Sequence, residues 1–386
     1  MRRPLTVLGL FVVLLAACQA PEAPAPAPEP LRPAWQPVDL PLPSGLSGRV
    51  ALRDAAACGG RWFVVGAVLD ADGVPHPAAW SSVDARVWVA LRPVPRSPYG
   101  PENLLTAVGC RDGRPVAVGG RSGGVHGNPR ISTWRLDGDG SLVEVPAEFE
   151  VFGGPDAVNV GRVVGGPGGW LISGNRATGA AAWVSADGSD FRLVSGVPGL
   201  ATDGAGRPWV ADGAAAGSGW LMVGSVLPPG RTGTDAAVWT SPDGSAWRRA
   251  VLPGGGVDQD LQRVVRVGDR AVAVGRRGDG LGAWVADGDA WRPGGDVPGG
   301  AERPGRVWGL SARGDGAFAV VAGAASEAGW FSPDGDRWSP VALPVAVPWG
   351  NDRSVAVASA GDVALLSVDD GVRARVWSAR GSWRPA

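Results

Sequence analysis

One nonapeptide constrains this chain more than any other feature. Trp239-Thr240-Ser241-Pro242-Asp243-Gly244-Ser245-Ala246-Trp247 returns as Trp330-Phe331-Ser332-Pro333-Asp334-Gly335-Asp336-Arg337-Trp338. Looser copies start at Trp183 and Trp284. Each reads as a strand, an Asp-Gly turn and a second strand. Glycine supplies the positive φ of a tight hairpin, and aspartate tolerates the neighbouring corner. The flanking aromatics pack on the buried face of such a hairpin.

The leading aromatic recurs at Trp80, Trp134, Trp183, Trp239, Trp284, Trp330 and Trp377, about every 50 residues. Between copies lie apolar runs such as Trp62 to Gly66, Trp170 to Gly174 and Trp220 to Gly224. Runs of this kind suit strands covered on both faces. With 62 glycines and 35 prolines, turns punctuate the chain throughout and no long helical pattern survives. The expectation is an all-β, seven-bladed propeller with four-stranded blades lettered a to d. Trp35-Gln36-Pro37-Val38 matches Trp338-Ser339-Pro340-Val341, a d strand. The N-terminal strand should therefore complete the last blade and close the ring.

The repeat resembles the Asp-box (BNR) repeat of sialidase-like propellers, Ser-x-Asp-x-Gly-x-x-Trp, over about residues 50–386. Here it is one residue shorter between Asp and Gly, and the copies of blades 1, 2, 5 and 7 are degraded further. In that family the motif is structural and lies on the c–d hairpin, away from the active site. The resemblance thus implies a fold and brings no catalytic residue with it. Sialidase chemistry needs an arginine triad, a Tyr-Glu nucleophile pair and an Asp acid/base. This chain has one tyrosine, Tyr99, in a Pro-Tyr-Gly-Pro turn near Glu102, and lacks the family's Arg-Ile-Pro signature.

Upstream of the repeats, Arg2 and Arg3 precede an apolar run from Leu5 to Ala17, too short to span a bilayer and suited to a signal peptide. Leu15-Ala16-Ala17-Cys18 looks like a bacterial lipobox, which implies a diacylated Cys18. A Pro/Ala-rich stretch follows and reads as a semi-rigid spacer. The expected organisation is signal peptide 1–17, tether 18–34 and propeller 35–386. The chain would then be exported, held on the extracytoplasmic face of the membrane by its lipid, and monomeric.

All 36 basic residues are arginine, and the formal charge is −1. Such a balance gives no electrostatic case for nucleic acid. No cofactor motif is present. His76 and His126 are the only histidines; a shared site with Asp70 or Asp72 is conceivable, but isolated loop histidines are the simpler reading, and no metal is expected. Cys58 and Cys110 end the a strands of adjacent blades, which converge at the axis, so a disulfide is expected after export.

Binding residues are sought in what does not repeat. The b–c loops of blades 1, 2 and 4 read as long (67–79, 120–133, 225–238). Counting back 15 residues from each b-strand glycine places Ala51, Leu104, Asn159, Trp209, Asp260 and Trp308 at the channel mouth. Trp349 and Arg353 lie in the same approach of blade 7. The candidate ligand-binding set is Trp209, Trp308, Trp349, Arg353, Asn159 and Asp260. Three residues further on, Asp54, Ala107, Arg162, Asp212, Arg263 and Ser311 should line the channel or pair across it. The expected function is non-enzymatic binding of a protein or cell-envelope glycan. The alternative is a glycan-acting hydrolase or lyase, marked by a carboxylate pair at the mouth.

Overall fold

A computed structural model describes residues 29–123, 128–254, 256–298, 305–322, 327–346 and 353–383. Seven antiparallel sheets each run a, b, c, d from the axis outward. Blade 1 comprises Arg49–Cys58, Arg61–Leu69, Pro75–Ser82 and Val89–Leu91. Blade 4 comprises Arg207–Ala216, Gly219–Leu227, Asp235–Ser241 and Arg248–Val251. Blade 2 carries a fifth strand, Pro93–Val94, parallel to its d strand Leu142–Val145. The fold is the seven-bladed propeller with four-stranded blades that the repeat predicts.

The ring closes in blade 7. Gln36–Val38 pairs antiparallel with Ala374–Ala379, outside Val363–Asp369 and Ser354–Ala360. The chain joins the propeller before the expected start at residue 35. Leu31 bridges to Val341 on the d strand of blade 6, donating to the Pro340 carbonyl and accepting from Ala342. Trp35 Nε1 donates to the Ala342 carbonyl at 2.8 Å, and its ring meets Trp383 edge-on at 5.8 Å. Leu31, expected in the 18–34 spacer, packs with Trp35 on an apolar seat of this blade boundary.

The c–d turns show what the repeat is for. In blade 4, Ser241 Oγ accepts from Gly244 N at 2.8 Å. Asp243 Oδ1 accepts from Ser245 N and Ala246 N. Blades 3 and 6 repeat this at Ser185/Asp187 and Ser332/Asp334. Backbone N–H donors, first that of Ser245, hold the Asp243 carboxyl below its ordinary range. Gly244 has φ +76, and a Cβ there would come within 2.5 Å of Val184 in the preceding blade. The glycine is thus fixed both by the turn and by the close approach of blades. Blade 1, expected to be degraded, keeps the turn: Asp84 accepts from Arg86 N and Val87 N, and buried Ala85 takes the glycine's place at φ +56.

The tryptophans of the hairpin motif lie toward the ends of the c strands, not at their starts, and serve the other face. Trp80, Trp134, Trp183 and Trp239 are fully buried. Their Nε1 atoms donate to Pro41 O, Asn103 Oδ1, Val151 O and Gly199 O. Each acceptor lies on the d–a loop leading into that blade, so these tryptophans pin the loop face to the core.

Candidate functional site: a groove over blades 2 and 3

The loop face gathers d–a and b–c connections, opposite the c–d turns. Its most developed feature is built by two d–a loops around the start of one strand. The first, residues 95–103, is folded down by Glu144. This buried carboxylate on strand d of blade 2 accepts from Arg96 N (2.7 Å), Ser97 N (2.8 Å) and Ser97 Oγ (2.7 Å). Asn103 Nδ2 donates to the Tyr99 carbonyl, which fixes the tyrosine. Its ring lies against Gly123, where a Cβ would approach within 2.5 Å.

The second loop holds one helical turn, Phe149–Phe152. Phe152 is buried against Trp183 and Phe191, at centroid distances of 5.9 and 6.3 Å. Arg176 Nη1 clamps the turn by donating to the Gly153 carbonyl at 2.6 Å.

Between the loops lies the start of strand c, Asn128–Leu136. The guanidinium of Arg130 sits 4.4 Å from the Phe149 ring centre and 5.5 Å from that of Tyr99. Stacking of this kind attracts a cation to the ring faces. Two adjoining cavities result, of about 230 and 360 Å³. Both are lined by Pro129, Ile131, Phe149 and Phe152. The larger continues past Val158 to Asn159.

The central channel differs in kind. Six of the seven a strands carry a β-bulge near their starts, after Leu52, Leu105, Val160, Val210, Leu261 and Val307. The bulges re-aim the residues that follow. Arg162 reaches Asp54 at 3.0 Å and Asp212 at 3.6 Å. Asp54 Oδ2 also accepts from Val108 N, and Asp212 Oδ2 from Val264 N. The two carboxylates are therefore braces between blades, held by a shared arginine and by backbone.

Burial pushes the Asp212 carboxyl up, opposed by the charges of Arg162 and Arg263. Burial, reinforced by the charge of Arg162, pushes the Arg263 guanidinium down to about 10. Arg162 moves upward because Asp54 and Asp212 outweigh its own desolvation. Beyond this ring the channel opens into a cavity of about 560 Å³ walled mostly by Ala, Val and Gly, with Cys110 on its rim.

The expected mouth residues separate. Trp209 is 43% exposed. Asn159 is exposed, lines the groove, and accepts from Asn175 Nδ2 at 2.9 Å. Asn175 in turn makes two hydrogen bonds to the backbone of Val210, beside Trp209. Asp260 is half-buried and bound to Arg276 at 3.0 Å. Arg353 is half-buried, and its Nη1 has no hydrogen-bond partner among the described residues. Trp349, Cys18 and His126 lie outside the described residues.

Trp308 does not belong at the mouth. It is 5% exposed, with the Arg306 guanidinium 3.8 Å over its ring. The count back from Gly323 misplaced it, because strand pairing sets Val307 opposite Val321 and Gly309 opposite Val320. Trp308 is the bulged residue. Gly309, in place of Ser311, holds the position equivalent to Asp212.

The long b–c loops also shrink. In blade 1 strands b and c run to Leu69 and from Pro75, so 67–79 is mostly paired backbone. In blade 4 the connection is only 228–234. His76 is therefore a strand residue, with Nε2 3.0 Å from Asp70 Oδ2. No group of three metal-ligating side chains occurs among the described residues. Cys58 and Cys110 form a disulfide between blades 1 and 2, with Cα atoms 5.7 Å apart.

The groove residues Tyr99, Arg130, Phe149 and Phe152 were missed. They come from three separated segments, and none stands at a repeat position. The available signal was two phenylalanines in a d–a loop, in a chain with only seven.

No family model and no curated protein sequence matches the chain. Solved structures do match in fold. YCF48 bound to a D1 peptide aligns with a TM-score of 0.53 at 13% identity, over 91% of this chain and 97% of that one. The propeller domain of the Trilobed protease from Pyrococcus furiosus aligns at 0.51 and 10% identity, over 86% and 96%. That domain has an open velcro topology, whereas here Gln36–Val38 closes the ring. Trypanosoma rangeli sialidase aligns at 0.47 and 14% identity, over 90% of this chain and 59% of its own. At these identities the likeness is one of fold.

Proposed function

We propose that this chain is a tethered, non-enzymatic propeller that binds a protein partner through the groove over blades 2 and 3. The observation that carries the reading is the preformed groove itself. It has apolar and aromatic walls, and loops locked in place by Glu144, Asn103 and Arg176. Concave, largely apolar sites with a few fixed polar groups are the usual form of a binding site. A propeller of this fold, YCF48, has been captured with a peptide bound, which is consistent with a protein partner. In this reading Cys18 carries the lipid, residues 19–28 space the propeller from an extracytoplasmic membrane face, and the chain acts as a monomer.

The alternative, a glycan-acting hydrolase, calls for two carboxylates free to work on a substrate. Asp54 and Asp212 are the carboxylates bridged by Arg162 in the channel ring, and both are buried and committed to Arg162 and backbone N–H groups. That commitment favours binding over hydrolysis.

Two measurements test the reading. Cells expressing the full chain should incorporate an alkyne fatty acid into it, and Cys18→Ala should abolish incorporation. Immobilised chain should retain peptides from a random dodecapeptide display library, and a Phe149→Ala/Ile131→Ala variant should lose them. Retention of cell-envelope glycan fragments alone, or hydrolysis of them, would overturn it.

A further inference from the structure

Arg130 is out of balance with its surroundings. Its Nε is buried without a hydrogen-bond partner, and it has no ion pair among the described residues. The two acids that are buried or half-buried beside it are otherwise engaged. Glu144 lines the same cavity, but its two oxygens already accept three hydrogen bonds. Glu102 pairs with Arg121, the residue directly across the ladder from Arg130. The rings of Phe149 and Tyr99 hold the guanidinium carbon over their faces. The rings attract the cation but offer no oxygen to its five N–H donors. None of those donors has a hydrogen-bond partner among the described residues. A buried donor without an acceptor is costly.

We propose that Arg130 is the anchor of this groove for a single carboxylate on an extended peptide segment. The carboxylate is an Asp or Glu side chain or a C-terminus, flanked by an apolar residue. This rests on the reading of the groove as a protein-binding site. Arginine meets a carboxylate with two parallel charge-assisted hydrogen bonds, which gives direction as well as energy. The adjoining cavity, walled by Ile131, Phe149, Phe152 and Val158, takes the apolar neighbour. Glu148 and Glu150 are exposed on the neighbouring loop. They disfavour an acidic tract, so the partner carries one carboxylate in an otherwise neutral or apolar stretch.

The test uses a feature of composition. Tyr99 is the sole tyrosine, so full chain labelled with 3-fluorotyrosine gives one 19F resonance, located in the groove. Dodecapeptides selected on the wild-type chain are synthesised and titrated. The expected set is enriched in one acidic residue beside an apolar one, and it shifts the Tyr99 resonance. Arg130→Gln weakens it roughly ten- to a hundredfold, in line with loss of a charged hydrogen-bonded pair. Arg130→Lys falls between, keeping charge but losing the fork. A melting temperature within a few degrees of wild type checks that each variant is folded.

Selected peptides that move Tyr99, lack acids and bind Arg130→Gln as tightly as wild type would sink the anchor and leave the groove standing. Retained peptides that leave Tyr99 unmoved, or no retained peptide at all, would overturn both readings.

Discussion

The two faces of the propeller are built by opposite rules. On one face, the same turn is made again and again. Ser Oγ takes a glycine N–H, Asp Oδ1 takes the next two N–H groups, and a left-handed residue touches the preceding blade. Its hydrogen bonds are local and its neighbour is always the equivalent blade before it, so it can be copied, and the sequence repeats because the geometry does. On the other face the d–a loops are individual. Four are pinned by a strand-c tryptophan, each to a different acceptor: Pro41, Asn103, Val151, Gly199. The repeat fixes where a loop lands and leaves its content free. A scaffold of identical turns can thus carry one elaborate groove on its far side.

If the faces are independent, a lesion in one spares the other, while opening the ring harms both. The largest effect should come from starting the chain at Pro43, which removes Leu31, Trp35 and the closing strand. Loss of this apolar burial should cost at least about 5 kcal/mol and lower the melting temperature by on the order of 10 °C. Peptide retention should fall with it. An unchanged melting curve would show that the ring does not depend on its clasp.

Next comes the Cys58–Cys110 bond, on the face of the repeated turns. The double serine variant should lose about 2–4 kcal/mol and keep groove binding within about twofold. Thiol titration of the denatured, unreduced protein should find neither cysteine reactive; two free thiols would remove the bond from the account. Smaller again is Ser241→Ala, which strands the buried N–H of Gly244 and should cost about 1–2 kcal/mol, again with binding intact. A matching loss of binding would mean that the faces are coupled.

Acid should discriminate as well. Backbone N–H donors hold Asp84, Asp187 and Asp243 below their ordinary pKa; for Asp334 the same donors outweigh a raising effect of burial. A lowered folded-state pKa gives stability that is complete above the unfolded value of 3.8 and is lost as pH falls through the folded one. Stability from these turns should be level from pH 7 to about 5 and decline below about 4. Asp212 works in the opposite sense: burial raises it, so its charge weakens the fold above 3.8 and protonation relieves it. Chemical denaturation at stepped pH would show the decline, and Asp243→Asn should make it shallower.

The smallest effect is at Ala85. Glycine would relieve a φ of +56, worth about 1 kcal/mol, but would remove a buried methyl worth about 0.8 kcal/mol. Ala85→Gly should be nearly neutral, against a clear loss for Gly244→Ala.

The same contrast explains what the sequence discloses. Blade number, strand order and the closing strand were legible because a Trp opens the hairpin motif of every unit and Gly-after-Asp marks most of them. Strand lengths were not: residues 67–79 look like a loop because Asp70, Gly73 and two prolines interrupt them, yet pairing runs to Leu69 and resumes at Pro75. Trp308 was misplaced because a glycine count assumes a constant register, and in blade 6 the register differs by two residues. Of the five expected binding residues that the structure describes, only Asn159 lines the groove, and Trp209 lies near it through the Asn175–Val210 link. Arg130, Tyr99 and Phe149 stayed hidden because their meeting depends on how two unlike loops fold back, which no period reports.

The clasp also has a mechanical meaning. Any pull on the chain upstream of residue 29 enters the propeller at Leu31, and from there the attachments lie in series. First come the two backbone bonds of Leu31 to blade 6, then the Trp35 indole on Ala342, then the three-residue ladder Gln36–Val38. A load from that end is taken up one fastening at a time along the rim, from blade 6 to blade 7. The last fastening is the one on which ring integrity depends, so a brief tug that frees Leu31 can reseat before the ring is breached.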